Sequence, residues 1–139
     1  MATPTTFVAN VDGGARGNPG PAGWGAVLKT ADERVVAQLR GALPRATNNV
    51  AEYHGLIAAL EWCAAHGATH VQVRSDSLLL VQQMRGAYKV RSAGLKPLHA
   101  AARLLVTRIG YVEFEHVPRE RNTHADRLAN LAMDEAADG

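Results

Sequence analysis

Apolar and polar positions along the chain fall into two rhythms, and the switch between them divides it into strands and helices. Phe7 to Asp12 alternates, with Phe7, Ala9 and Val11 on one face, as a strand does. Asp12-Gly13-Gly14-Ala15-Arg16-Gly17-Asn18-Pro19-Gly20-Pro21 follows, and its glycines and prolines predict an irregular loop. Trp24 to Lys29 and Arg34 to Ala42 read as a hairpin around Ala31-Asp32-Glu33, ended by Pro44. The period then lengthens. Asn48 or Asn49 caps a helix whose stripe is Tyr53, Leu56, Ile57, Leu60, Cys63 and Ala64, and Gly67 stops it. His70 to Arg74 is a short strand, Ser77 to Arg85 a helix ended at Gly86, and Pro97 to Arg108 another closed by Gly110. Tyr111 to Val117 is the last strand. Asn122 opens a final helix with Ala125, Leu128, Ala129 and Ala132 on one face, and the tail from Ala136 is expected to fray.

The order βββαβααβα predicts an α/β fold, in which an antiparallel meander joins β-α-β crossovers to make a mixed sheet covered by helices. No repeat or low-complexity linker interrupts it. Residues 1–139 are read as one domain with an ordered core of about 7–133.

Composition narrows the function classes. A hydrophobic content of 47% and a charged content of 20% are those of a soluble globular protein. No apolar run is long enough to span a membrane, and Met1 to Thr6 lacks the basic and apolar regions of a signal peptide. Cys63 is the only cysteine, which excludes an internal disulfide, and no Cys/His pattern suggests zinc. A reducing, cytoplasmic setting is expected. Net charge is only +2, but no acid occurs between Asp76 and Glu113, where Arg85, Lys89, Arg91, Lys96, Arg103 and Arg108 put +6 into 36 residues. That stretch suits phosphates, although scattered bases on a solvated helix surface would look the same.

Four acids stand at junctions between these elements. Asp12 ends the first strand and Asp76 the fourth; Glu52 and Asp126 lie in first turns of helices. Each has an ordinary explanation: turn chemistry before Gly-Gly for Asp12, a capping box from Asn49 for Glu52, a helix cap for Asp76, and the helix dipole for Asp126. Yet Glu52 shares the stripe of Leu56, Leu60 and Cys63, and Asp126 flanks the buried stripe of its own helix. Carboxylates turned inward are costly unless something pairs with them, and no lysine or arginine is placed on these faces. A shared hard cation would relieve all four.

Asp12-Gly-Gly-Ala-Arg-Gly-Asn-Pro-Gly20, Thr47-Asn-Asn-Val-Ala-Glu52, Ser75-Asp-Ser77 and Asn122-Thr-His-Ala-Asp126 occur in that order. The ordered set resembles the four signature segments of type 1 ribonuclease H, from about Phe7 to Met133. Tyr88-Lys89-Val90 and Val117 to Asn122 are similar to the short form that lacks the basic protrusion. The resemblance implies a five-stranded mixed sheet of order 3-2-1-4-5. It also implies two Mg²⁺ (or Mn²⁺) ions on Asp12, Glu52, Asp76 and Asp126, and hydrolysis of the RNA strand of an RNA–DNA hybrid to 3′-hydroxyl and 5′-phosphate ends. Gly13, Gly14, Asn18, Asn48 and Asn49 would contact the hybrid, with 2′-hydroxyls marking the RNA strand, and Thr47 a phosphate of the DNA strand.

Two departures stand out. Pro118-Arg119-Glu120-Arg121 has no histidine where many relatives carry one, so Arg119 or Arg121 would handle a phosphate, with Glu120 a further candidate. His116 and His124 are not assigned that role. Gly86 to Pro97 is too short for a lysine-rich protruding helix, which leaves Tyr88, Lys89 and Arg91 a reduced grip and predicts salt-sensitive binding. A monomer is expected. The alternatives are a silent hybrid-binding module, another nuclease of the same fold, and the ribonuclease H part of a fusion protein.

Overall fold

The computed structural model describes residues 4–138. Met1-Ala2-Thr3, part of the segment read for signal-peptide features, and Gly139 of the expected tail lie outside the described residues. Five strands, β1 (Thr6–Ala15), β2 (Gly20–Thr30), β3 (Val35–Ala46), β4 (His70–Ser75) and β5 (Tyr111–His116), form a mixed sheet in the order β3-β2-β1-β4-β5. β1 pairs antiparallel with β2 and parallel with β4, and β5 extends the parallel side. The helices are α1 (Asn48–Ala65), α2 (Leu78–Met84), α3 (Lys96–Ile109) and α4 (Thr123–Asp138).

Strand alternation sorts the helices onto two faces. Ala9 and Val11 of β1, Ala26 and Leu28 of β2, and Val71 and Val73 of β4 pack with Tyr53, Leu56, Leu60 and Cys63 of α1 in the main core. That core continues through Leu80, Val81 and Met84 to Ala102 and Ile109, so α2 and α3 share the α1 side. Val27, of opposite parity to Ala26 and Leu28, packs instead with Ala125 and Leu128 of α4. Helix α4 touches β1, β2 and β3, and its side of β4 and β5 is left to polar residues.

Several element boundaries differ from the sequence expectation. The expected loop after Asp12 is largely strand: Gly13, Gly14 and Ala15 pair with Trp24, Gly23 and Ala22, which leaves residues 16–19 as the connection. Pro44 does not end β3, because β3 is an edge strand where a missing N–H need not break a ladder. Thr47, not Asn48 or Asn49, caps α1 through its Oγ1, which accepts from Val50 N at 3.2 Å. Glu52 therefore lies in the second turn of α1, and the capping-box explanation for it fails. Ser77 caps α2 in the same way, accepting from Leu80 N at 3.2 Å, so Asp76 is not needed as a cap. The residues from Ala136 continue α4 through Asp138 and do not form a separate tail.

Candidate active site

Local packing brings the acids together. A Cβ on Gly13 would stand 2.4 Å from the backbone carbon of Ala51 and 2.5 Å from Glu52 N, so only glycine lets α1 press this closely on β1. That approach sets Glu52 beside Asp12. On the other face, a Cβ on Gly25 would stand 2.5 Å from Ala125 O, so the start of α4, which carries Asp126, seats directly on β2. Parallel pairing of β1 with β4 aligns Val11 with Ser75, and Asp12 and Asp76 are the next residues, just past the end of that parallel ladder. Strand ends of this kind are where sites collect in open α/β sheets.

Carboxylate oxygens of Asp12, Glu52 and Asp76 lie within 4.8 Å of one another. Asp126 is within hydrogen-bonding reach of Asp12 and lines the same cleft. Asp12 is 6% exposed and Glu52 8%. Burial, then the Asp76 charge and the hydrogen bond to Asp126, pushes the Asp12 carboxyl up to about 8. Burial, then the charges of Asp12 and Asp76, holds Glu52 well above the usual carboxylate range. Glu52 Oε2 is buried with no hydrogen-bond partner. A buried, unpartnered carboxylate oxygen is expensive, and a cluster made only of oxygen donors suits a hard divalent cation. The residues present fit such an ion. Among the described residues, the cation that approaches the quartet is Arg119, 80% exposed and 3.9 Å from Asp126, too loosely held to neutralise it. This amends the expectation that no base approaches these faces.

The quartet floors an open cleft of about 670 Å³ whose rim includes Gly13, Gly14, Asn48, His116 and Arg119. Asn48 Oδ1 accepts from Ala15 N at 2.7 Å, and Asn18 Oδ1 accepts from Asn48 N at 2.9 Å. The connection after β1 is thereby tied to the start of α1, and, with no partner among the described residues, the NH₂ groups of both asparagines are left as donors for a ligand. Thr47 caps the same turn, while Asn49 is exposed.

The remaining sequence candidates separate. Of Arg119, Glu120 and Arg121, only Arg119 lines the acidic cleft; Glu120 and Arg121 line a hollow of about 400 Å³ with Asn10, Lys29 and Arg74. Tyr88 and Lys89 are exposed on the α2–α3 connection and do not line the cleft. His116, unassigned from sequence, stands on the rim with Nε2 3.3 Å from Asp76 O. Asn130 was not singled out. It follows Asp126 by one helical turn, its Nδ2 donates to Asp126 O at 2.9 Å, and the i, i+4 spacing was the available signal.

Comparison with known proteins agrees with this geometry. A family model described as reverse transcriptase-like matches residues 10–132. The bifunctional protein Rv2228c of Mycobacterium tuberculosis is 53% identical over 131 residues, covering 94% of this chain and 36% of that protein. The solved N-terminal RNase H domain of Rv2228c, a fusion with maltose-binding protein, superposes with a TM-score of 0.94 at 52% identity, covering 96% of this chain and 97% of that one. Ribonuclease HI of Halobacterium salinarum is 44% identical over 128 residues, covering 92% of this chain and 64% of that protein. LC11-RNase H1, solved in complex with an RNA/DNA hybrid, gives a TM-score of 0.90 at 41% identity, covering 94% of this chain and 99% of that one. The chain thus spans about a third of the Mycobacterium protein and under two thirds of the Halobacterium one. With the sheet order, the matched segments and these relatives agreeing along nearly its whole length, the chain belongs to the type 1 ribonuclease H family.

Proposed function

We propose that this chain is a divalent-metal-dependent endoribonuclease that cuts the RNA strand of RNA–DNA hybrids, leaving 3′-hydroxyl and 5′-phosphate ends. The observation that carries the reading is the convergence of three carboxylates within 4.8 Å, one of which, Glu52, keeps a buried and unpartnered Oε2. A protein that only bound nucleic acid would gain nothing from aiming such charge at a phosphate. Asp12, Glu52, Asp76 and Asp126 would hold two Mg²⁺ (or Mn²⁺) ions. Bound there, the ions supply Lewis acidity, acidifying the attacking water and neutralising the leaving 3′-oxygen.

The chain's own residues do the rest. The water oxygen bonds to phosphorus as the P–O3′ bond breaks, and the 3′-oxygen takes up a proton. The carboxylates fix the line of that displacement, because Asp12 on β1 and Asp76 just after β4 directly follow paired residues of the two strands and Glu52 is locked against β1 by Gly13. The amide donors of Asn48 at the rim, and of Asn18 bonded to its main chain, suit 2′-hydroxyl and phosphate oxygens. Gly14 lets the backbone approach closely, and the capped turn at Thr47 and Asn49 faces the DNA strand. Arg119 offers an exposed guanidinium for a phosphate. Tyr88 and Lys89 lie outside the cleft and would meet the hybrid farther along its length. We read the chain as one domain, monomeric and cytoplasmic; no helix among the described residues is long and apolar enough to cross a membrane.

The test uses matched RNA–DNA, RNA–RNA and DNA–DNA duplexes, with Mg²⁺ and with EDTA. Cleavage confined to the RNA of the hybrid and abolished by EDTA is expected. Cleavage of DNA–DNA, or unchanged hybrid cleavage in EDTA, defeats the proposal. A second reading, in which this domain works within a longer polypeptide, draws support from Rv2228c, whose RNase H domain is N-terminal in a bifunctional protein. An antibody to this chain that detects only a species near 15 kDa in the native cell extract would exclude it.

A further inference from the structure

Behind the acid cleft lies a buried amide pair that the catalytic reading leaves unused. Asn122, 2% exposed, donates from Nδ2 to Val11 O at 2.8 Å, on the residue immediately before Asp12. That bond fixes the orientation of its amide, and its Oδ1 then accepts from Asn10 Nδ2 at 3.1 Å. Asn10, 4% exposed, shares a strand face with Asp12 two residues on. The main chain of Asn122 is engaged as well, because Asp126 N donates to Asn122 O at 3.0 Å in the first turn of α4. One side chain and its backbone therefore tie the strand bearing Asp12 to the turn bearing Asp126.

The pair is not arranged for stability alone. With both amides oriented by the Val11 bond, Asn10 Oδ1 is left buried without a partner. Position 10 faces Val27 across β1 and β2, beside the small α4-side core of Val27, Ala125 and Leu128. An apolar side chain at position 10 would serve that core and only exchange one orphaned acceptor, Asn10 Oδ1, for another, Asn122 Oδ1, so the fold's stability gives little reason for the amide. What the amides add is register. They hold Asp126 against Asp12 although two carboxylates repel when both are charged.

Resting on the proposed function, we propose that Asn10 and Asn122 are positioning residues that set the separation of Asp12 and Asp126, and with it the affinity of the site for divalent cations. Neither touches the reacting atoms. Both act through the carboxylates.

The test is a Mn²⁺ titration of the purified chain, following the paramagnetic signal of free ion, together with thermal unfolding in chelator. Asn10→Leu, close in size, is the main variant, and Asn122→Ala the harsher one. Asn10→Leu should weaken Mn²⁺ binding about tenfold, as loss of a residue behind a metal ligand does. Its metal-free Tm should change by no more than about 3 °C, which corresponds to under ~1 kcal/mol in a chain of this size. In an Asp126→Asn background the same substitution should alter Mn²⁺ affinity less than about twofold, because the residue it acts through is already altered. Undiminished Mn²⁺ affinity in Asn10→Leu overturns the inference, as does a tenfold loss that persists in the Asp126→Asn background. Failure of the wild-type chain to bind Mn²⁺ overturns both this inference and the proposed function beneath it. Normal Mn²⁺ binding without hybrid cleavage overturns only the latter.

Discussion

Two groups of acids on one sheet are built to opposite ends. On the open face of β4 and β5, Arg74 grips Glu33 with both guanidinium arms at 2.8 and 3.0 Å and reaches Glu115 at 3.3 Å. Lys29 stands 3.7 Å from Glu33, and Gln72 donates to Glu115. The hydrogen bond from Arg74 holds Glu33 below the usual carboxylate range. Where the parallel β1–β4 ladder ends against α1, Asp12 and Glu52 are more buried, have no such cation among the described residues, and are pushed the other way. Ion pairs built within the chain leave the first group complete. The second is incomplete in itself, and a divalent cation is the partner that its donors and charge demand. Acid clusters alone are common; an unpartnered buried oxygen within one is what distinguishes a site from a solvated network.

The largest expected effect breaks the second group at its centre. Asp12→Asn should lower hybrid cleavage on the order of 10³-fold, since the metal contribution at stake is several kcal/mol. The metal-free variant should melt no lower than wild type, because a buried, repelled carboxyl has been removed. Steady-state cleavage and thermal unfolding in chelator check the two halves. Wild-type rates in Asp12→Asn would show that the quartet is not the working group.

Gly13→Ala is next. Its new Cβ would fall 2.4 Å from the Ala51 backbone, and helix backbone cannot yield as a flexible side chain can. A cost of about 1–3 kcal/mol is expected, with a Tm lower by roughly 5–10 °C. Activity should fall at temperatures where the variant is still folded, because Glu52 is displaced from Asp12. A folded Gly13→Ala protein with full activity would mean that the close seating of α1 is not what aligns the acids.

How this glycine was misread marks the limit of the sequence. Asp12-Gly13-Gly14 reads as a turn because local rules weigh glycine by its freedom, whereas Gly13 is extended and needed for its lack of a side chain. The reason lies in Ala51, 38 positions away, and no local rule reaches that far. The inward stripe of Glu52 was legible, because helical spacing survives a shift of cap from Asn48 or Asn49 to Thr47. Asp76 was legible as a strand-end acid but not as one freed from capping, since Ser77 and Asp76 compete on equal terms in sequence. Asn122 was legible only as the head of the Asn122–Asp126 segment and Asn10 not at all, and their pairing, 112 residues apart, carries no pattern until the fold joins them.

A third test turns the comparison into a pH experiment on the metal-free protein. Asp12 is raised from 3.8 to about 8, so between those values the folded chain keeps a proton that the unfolded chain has lost. Its contribution to stability is whole below about pH 4 and disappears as pH rises through about 8. Glu52 acts in the same direction. Relative to Asp12→Asn, wild type in chelator should lose about 5 °C or more of Tm between pH 5 and pH 8.5. Saturating Mg²⁺ should shrink that loss. A pH-independent difference between the two proteins would show that Asp12 is not held protonated in the metal-free state.

The smallest effect belongs to the self-sufficient group, and its sign is opposite. Glu33 is lowered, so its pairing with Arg74 stabilises the fold above the ordinary glutamate range and is lost as pH falls through the depressed folded value. Half-exposed as it is, the pair is screened by solvent and salt. Glu33→Gln should therefore cost only about 0.2–1 kcal/mol at pH 7, less at high salt, and nothing once acid has protonated the wild-type carboxyl. Hybrid cleavage and Mn²⁺ binding should stay at wild-type levels, because the network lies away from the cleft. If Glu33→Gln instead impaired metal binding, the two acid groups would be coupled through β1 and β4, and the line drawn between a finished network and an open site would have to move.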